Sequence, residues 1–285
     1  MYDNILVGFD NSEYSKAALN EVKAWVKAHG GKAVLVHAVY FDEEEFGIAP
    51  VMLEKRIEMG KKVCYQERET ALAGDGLDIE TVVCEGEPHD VILDVAKAKG
   101  CDLIAMGTHG RKGLKRLLMG SVTTSVVVDS PSDVLIVKRP CGGCDGKYHS
   151  ILVPFDGSEF SKKALERACG LSAQDGSTVT VLYVIPRYEE MVEFLRTSSI
   201  RKSLFDEAEK ILGQAKALAS ANGVTVITES QEGNAAEKAV EVAGMLKCDL
   251  IVMGGYGWRG VNKAIIGSTT ERVIMSARCP VLIVR

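Results

Sequence analysis

Residues 101–126 read CDLIAMGTHGRKGLKRLLMGSVTTSV, and residues 248–273 read CDLIVMGGYGWRGVNKAIIGSTTERV. Each stretch opens on an apolar run, turns at glycines and closes on a Gly-Ser pair ahead of a second periodic segment. The openings repeat as well: residues 4–19 are NILVGFDNSEYSKAAL and residues 150–165 are SILVPFDGSEFSKKAL. One unit is therefore written twice in 285 residues. That length suits two domains of ordinary size, each able to bury its own core. The copies run over residues 1–140 and 147–285, and residues 141–146 form a short Gly-rich linker.

Within each copy the hydrophobic period alternates between 2 and 3.6. In the first copy it predicts strands over Asn4–Val7, Ala33–Val39, Ile79–Val83, Leu103–Met106 and Val134–Val137. Helices lie between them: from an Asn11 or Ser12 cap to Trp25, from Pro50 to Ala73, from Pro88 to Lys99 and from Ser121 to Asp129. The second copy predicts strands over Ile151–Val153, Thr178–Val184, Val224–Thr228, Leu250–Met253 and Val281–Val284. Its helices fall over Ser161–Cys169, Phe194–Ala219 and Ala235–Met245 and from Ser268 onward. Strands that are apolar throughout, with helices between, imply a mostly parallel sheet covered on both faces. Each copy is thus a doubly wound α/β domain, and its winding follows from right-handed crossovers. Period alone leaves the strand order open. Ligands in such folds bind outside the carboxyl ends of the strands, where the order reverses. Those ends carry Asp10, Ala38–Val39 and Gly107 in the first copy, and Asp156, Val184 and Gly254 in the second.

The glycines have a fixed spacing. Gly107-Thr-His-Gly110, nine residues, then Gly120-Ser121 is matched by Gly254-Gly-Tyr-Gly257, nine residues, then Gly267-Ser268. Glycines past a strand permit positive φ and close approach of backbone N–H groups. A helix N-terminus then adds orphan donors and a partial positive charge, the anatomy of a phosphate cradle. The plainer reading, glycines that only make tight turns, stays open, because duplication copies structure as well as function. No G-x-G-x-x-G follows the first strand and no P-loop is present. Asp10 and Asp156 allow two roles: a ligand, through a phosphate-bound Mg²⁺ and water or a ribose, or a turn and cap partner.

With both copies matching G-x2-G-x9-G-[ST], the chain resembles the universal stress protein family, as a tandem member of its nucleotide-binding branch. The resemblance covers essentially everything outside the linker. It implies a five-stranded parallel sheet of order 3-2-1-4-5, flanked by helices, in each copy. It also implies a bound adenine nucleotide, ATP or AMP, with Mg²⁺ or Mn²⁺. Asp10 and Asp156 then match the aspartate after the first strand. Ala38 and Val184 match the residue whose backbone meets adenine. Met106 with Gly107, and Met253 with Gly254, frame the adenosine. Gly110, Gly120, Ser121, Val122 and Thr123 match the phosphate segment of one copy, and Gly257, Gly267, Ser268, Thr269 and Thr270 that of the other. The family's Gly-x-Pro is Gly86-Glu-Pro88 in the first copy and Gly233-Asn-Ala235 in the second.

The copies differ inside the glycine loop. Arg111, Lys112, Lys115 and Arg116 crowd the first, while the second keeps Arg259 and Lys263. The first site is expected to favour ATP over AMP the more strongly. No catalytic set stands out; His109 sits in the loop where the second copy has Tyr256, and slow ATP hydrolysis is the most these residues suggest. Cys141-Gly-Gly-Cys144 in the linker reads as two exposed thiols, half a zinc site or a redox pair. The other cysteines read as small apolar side chains, with Cys84 placed beside a strand.

The net charge of −5, from 34 basic and 39 acidic residues, is mixed and argues against nucleic acid as the main partner. No apolar run approaches 18 residues and the N-terminus opens as a strand, so the expectation is a cytoplasmic protein without a membrane span. In the 3-2-1-4-5 order the apolar fifth strand is an edge, which invites pairing of the two copies within the chain. A homodimer of the tandem chain is a further expectation. The function so read is a nucleotide-responsive stress or regulatory protein. The alternatives are an interaction module with empty pockets and a slow ATPase.

Overall fold

The structure, a computed structural model, describes residues 2–40, 50–110, 119–139, 145–186, 198–255 and 266–285. The chain forms two compact units, Tyr2–Lys147 and Tyr148–Arg285. The first contains β1 (Asn4–Gly8), α1 (Glu13–His29), β2 (Lys32–Val39), α2 (Pro50–Asp75) and β3 (Ile79–Glu85). It continues with α3 (Pro88–Lys99), β4 (Leu103–Gly107), α4 (Ser121–Asp129) and β5 (Asp133–Val137). Its strands lie in the order β3-β2-β1-β4-β5, and every pair is parallel.

The second unit contains β6 (Ser150–Pro154), α5 (Glu159–Asp175), β7 (Thr178–Pro186), α6 (Ser198–Ala221) and β8 (Ile227–Gly233). Then follow α7 (Ala235–Met245), β9 (Leu250–Gly254), α8 (Ser268–Ser276) and β10 (Val281–Val284). The order is β8-β7-β6-β9-β10, again all parallel. Both units are doubly wound α/β domains whose order reverses between the first strand and the fourth.

The central strands are the core. Ile5, Leu6, Leu35 and Ile104 in the first domain, and Ile151, Leu152 and Leu182 in the second, are fully buried. Burying one such side chain contributes about 1.5–3 kcal/mol. Tyr2 and Trp25 close the base of the first sheet: Tyr2 Oη donates to Asp133 Oδ2 at 2.5 Å, and Trp25 Nε1 donates to the Tyr2 carbonyl at 3.2 Å.

The turn after the first strand shows local chemistry setting the site. Asn11 has φ 66° and Gly157, its counterpart in the second domain, has φ 79°. Asn and Gly are the residues that accept this left-handed geometry readily. The chain then reverses into a cap: the Ser12 hydroxyl accepts from Ser15 N, and the Ser158 hydroxyl from Ser161 N, each at 3.2 Å. Ser12 rather than Asn11 is the cap, and Asn11 supplies the bend.

Two expectations are corrected. The strand expected over Val224–Thr228 is Ile227–Gly233 instead. Val224 is held back because its N–H closes the end of α6 on the Ala219 carbonyl at 3.0 Å. Cys84 lies within β3, paired with Ala38, rather than beside it. Where the first domain starts α3 on Pro88, the second starts α7 on Asn234, whose side chain accepts from Ala236 N and Glu237 N. The missing proline is replaced by a cap.

Candidate functional site

At the carboxyl ends of β1, β2 and β4 the first domain holds a cavity of about 730 Å³. Asp10, Ala38, Met106, Gly107, Gly110, Gly120, Ser121, Val122 and Thr123 all line it. The nine residues matched to the family's site in the first copy are thus gathered at the switch point of the sheet.

One wall is an open strand edge. The β1–β2 ladder ends with the Phe9 N–H donating to the Val36 carbonyl at 2.8 Å. Val36 therefore turns its peptide groups toward β1. Ala38, two residues on, faces the same way, but β1 has ended. Among the described residues, Ala38 N–H and C=O meet no strand there. The carbonyl of Val39 points oppositely and accepts from Gly86 N at 3.2 Å. The second domain has the same break: Phe155 N–H donates to the Leu182 carbonyl at 2.8 Å, which leaves Val184 in the place of Ala38.

The opposite wall is the start of α4. Gly120 is its N-cap, in extended backbone with φ −60° and ψ 142°. The N–H groups of Ser121, Val122 and Thr123 precede the first intrahelical bond, which Thr124 N–H makes to the Gly120 carbonyl at 2.9 Å. They carry the partial positive end of the helix. Thr123 Oγ1 donates to the Gly107 carbonyl at 2.8 Å and ties the helix to the strand end. In the second domain Thr270 Oγ1 does the same to the Gly254 carbonyl at 3.1 Å. Gly267 caps α8 with φ −61° and ψ 134°, and Ser268, Thr269 and Thr270 form the first turn.

Positive φ is not what these glycines supply. Among the described residues, Gly107, Gly110, Gly120, Gly254 and Gly267 are absent from the positive-φ set. Close approach is the reason at Gly107, Gly110 and Gly254. A Cβ on Gly107 would lie 2.6 Å from Tyr14 Cβ, and one on Gly254 would lie 2.6 Å from Phe160 Cβ. A Cβ on Gly110 would lie 2.8 Å from Asp10 Oδ2. Met253, like Met106, is a buried strand residue just before its glycine.

Asp10 and Arg56 are charged residues in the described lining of this cavity. Asp10 Oδ1 accepts from Ser12 N at 3.0 Å, and Asp156 Oδ1 accepts from Ser158 N at 3.0 Å. Both aspartates hold the turn. Asp10 Oδ2 lies beside Gly110, and Asp10 is among the residues that line the cavity. His109 is buried, its ring centroid 5.3 Å from that of Tyr14, and its Nδ1 lies 3.1 Å from Thr108 Oγ1.

Some lining residues carry no motif. Arg56, Met59, Gly60 and Val63 of α2 lie along one side of the cavity, with His37 of β2. Their spacing is i, i+3, i+4, i+7, one face of a helix. The signal in the sequence was Gly60, a costly residue in mid-helix. Residues 111–118 and 256–265, which include Gly257 and the loop cations, lie outside the described residues, as do Cys141 and Cys144.

Among the described residues, no group of three or more His, Cys, Asp or Glu side chains could hold a metal ion, and no helix is long and apolar enough to cross a membrane.

Two tandem doubly wound domains, the first with a glycine-framed cavity at its switch point, define the class of protein. The chain belongs to the universal stress protein family, whose model matches residues 1–138 and again residues 147–285. A universal stress protein of Methanocaldococcus jannaschii is 36% identical over 141 residues, spanning 48% of this chain and 82% of its own. One from Mycolicibacterium smegmatis is 24% identical over 298 residues and aligns with 99% of this chain and 96% of its own length. The crystal structure of a universal stress protein from Archaeoglobus fulgidus matches with a TM-score of 0.75 at 21% identity, covering 99% of this chain and 98% of that one. That likeness speaks for the fold.

Proposed function

We propose that the chain is a regulatory protein that responds to an adenine nucleotide, ATP or AMP, bound in each domain. One observation carries the reading: a single cavity in the first domain joins the open edge at Ala38 to the helix start at Ser121. Adenine presents a ring-nitrogen acceptor beside an amino donor. A strand residue with open N–H and C=O groups offers the complementary pair. Ile92 and Met106 give the base apolar flanks. The first-turn N–H groups of α4 suit phosphate oxygens. The volume falls within the ordinary range of small-molecule pockets, about 300–1,000 Å³.

A divalent cation, Mg²⁺ or Mn²⁺, fits only as a passenger of the nucleotide. Asp10 lines the cavity that also holds the start of α4, and Mg²⁺ commonly takes one or two carboxylates with substrate phosphates and water. In the second domain Asp156, Val184 and Ser268–Thr270 repeat the pattern, so the proposal extends to that site. Release of small molecules from freshly purified protein by acid, followed by titration with ATP, tests the reading. A released adenine nucleotide, or saturable binding of added ATP, supports it. Protein that carries none and rejects added ATP and AMP overturns it and leaves the interaction module standing.

A further inference from the structure

The β1–β2 ladder stops one bond short of where its geometry allows. In a parallel ladder, Phe9 N–H bonded to the Val36 carbonyl should be followed by Ala38 N–H bonded to the Phe9 carbonyl. That second bond is not made. The Phe9 carbonyl instead meets His37 Nδ1 at 2.6 Å. A carbonyl only accepts, so Nδ1 carries the proton of this contact. The ring's far edge lies against α2: a Cβ on Gly60 would be 2.7 Å from His37 Cδ2 and 3.3 Å from Nε2. His37, Gly60 and Ala38 all line the cavity. A glycine in mid-helix lowers helix stability, and here its absent side chain makes room for the imidazole.

We propose that His37 is a positioning residue of the first site, with Gly60 as its required neighbour. Its Nδ1–H occupies the Phe9 carbonyl, holds it off Ala38, and keeps the Ala38 N–H available to the base. The same bond fixes Phe9, the residue before Asp10, so the base edge and the carboxylate are set by one side chain. The second domain carries Tyr183 at this place, and Val184 stands open without an imidazole. The histidine therefore steadies the opening in the first domain rather than creating it, and this device belongs to the first site alone. The inference rests on the nucleotide reading above.

The test uses the full chain and three forms: wild type, His37→Asn and His37→Phe. Asn keeps an N–H donor close to the place of Nδ1; Phe keeps the ring and loses the donor. ATP is titrated while the amide signals of Ser121, Val122 and Thr123 report the first site and those of Ser268 and Thr269 the second. The expected result is a loss of about tenfold in first-site affinity for His37→Phe, the scale of one hydrogen bond. His37→Asn should stay within about threefold of wild type, and second-site affinity should not move. Equal binding by His37→Phe, or equal loss in both variants, overturns the proposal. The histidine ¹⁵N spectrum of the nucleotide-free wild type is a separate readout that needs no variant to fold. It should show His37 protonated on Nδ1; protonation on Nε2 alone overturns the clamp. Wild type that binds no ATP while showing the Nδ1–H form would refute the nucleotide reading and, with it, any role of the clamp in binding.

Discussion

Asp10 is where structure and proposed function meet in one side chain. Asp10→Asn keeps an Oδ1 acceptor for Ser12 N and removes a negative charge from the lining of the proposed site. The fold should survive, with thermal stability within about 0.5 kcal/mol of wild type. Affinity for ATP at the first site should fall by about tenfold with Mg²⁺ present and change little with the cation chelated. Calorimetry in both conditions checks this, and an equal change in the two would remove the cation from the account. Thr123 makes a different prediction. Thr123→Val loses the 2.8 Å bond to the Gly107 carbonyl in a buried setting. It should destabilise the first domain by about 1–3 kcal/mol, since that carbonyl loses a partner. Denaturant unfolding measures the effect directly.

At the scale of elements, the bounds of α4, α7 and β10 could be read from sequence, because caps, prolines and apolar runs mark them locally. The glycine spacing likewise located the crevice from both sides. What stayed hidden has no local signature. β8 reads ITESQEG, is held by its ladder with β7 from Thr180–Ile227 to Pro186–Gly233, and leaves Ile227 58% exposed. An edge strand with one neighbour in its domain needs backbone bonds more than an apolar pattern. The wall formed by α2 was illegible for a related reason: which face of a charged helix meets a cavity depends on a crossover, and only Gly60 hinted at it. The buried thiols extend the element argument to chemistry. Burial first, then nearby carboxylates, pushes the thiols of Cys64, Cys101 and Cys169 up to about 11. A rise of two pH units from the ordinary value of 9.0 cuts the thiolate fraction by about a hundredfold at pH 8. Alkylation resolved by mass spectrometry should therefore leave these three slow while the half-buried Cys84 and Cys279 react. Because the folded thiols hold their protons longer, this contribution to stability is full below about pH 9 and is lost as pH rises toward about 11.

For the whole molecule, duplication with divergence is the feature to explain. Each domain retains the open edge, the capping glycine and the aspartate of the turn, yet the loops between the glycines carry different charge. Four cations in residues 111–116 stand against two in residues 259–263, all outside the described residues. An exposed ion pair contributes about 0.2–1 kcal/mol and is screened by salt. The first site should prefer ATP over AMP by more than the second does, with the gap closing at high salt; titrations followed by Ser121 and Ser268 amides compare the two in one sample. Equal preferences at low salt would remove the loop charges from the explanation. The central claim, that each domain takes an adenine nucleotide, is tested most directly by native mass spectrometry of the intact chain titrated with ATP and Mg²⁺. The account predicts two successive mass increments, each equal to one nucleotide with or without its cation. A folded chain that shows no increment up to millimolar ATP would contradict it.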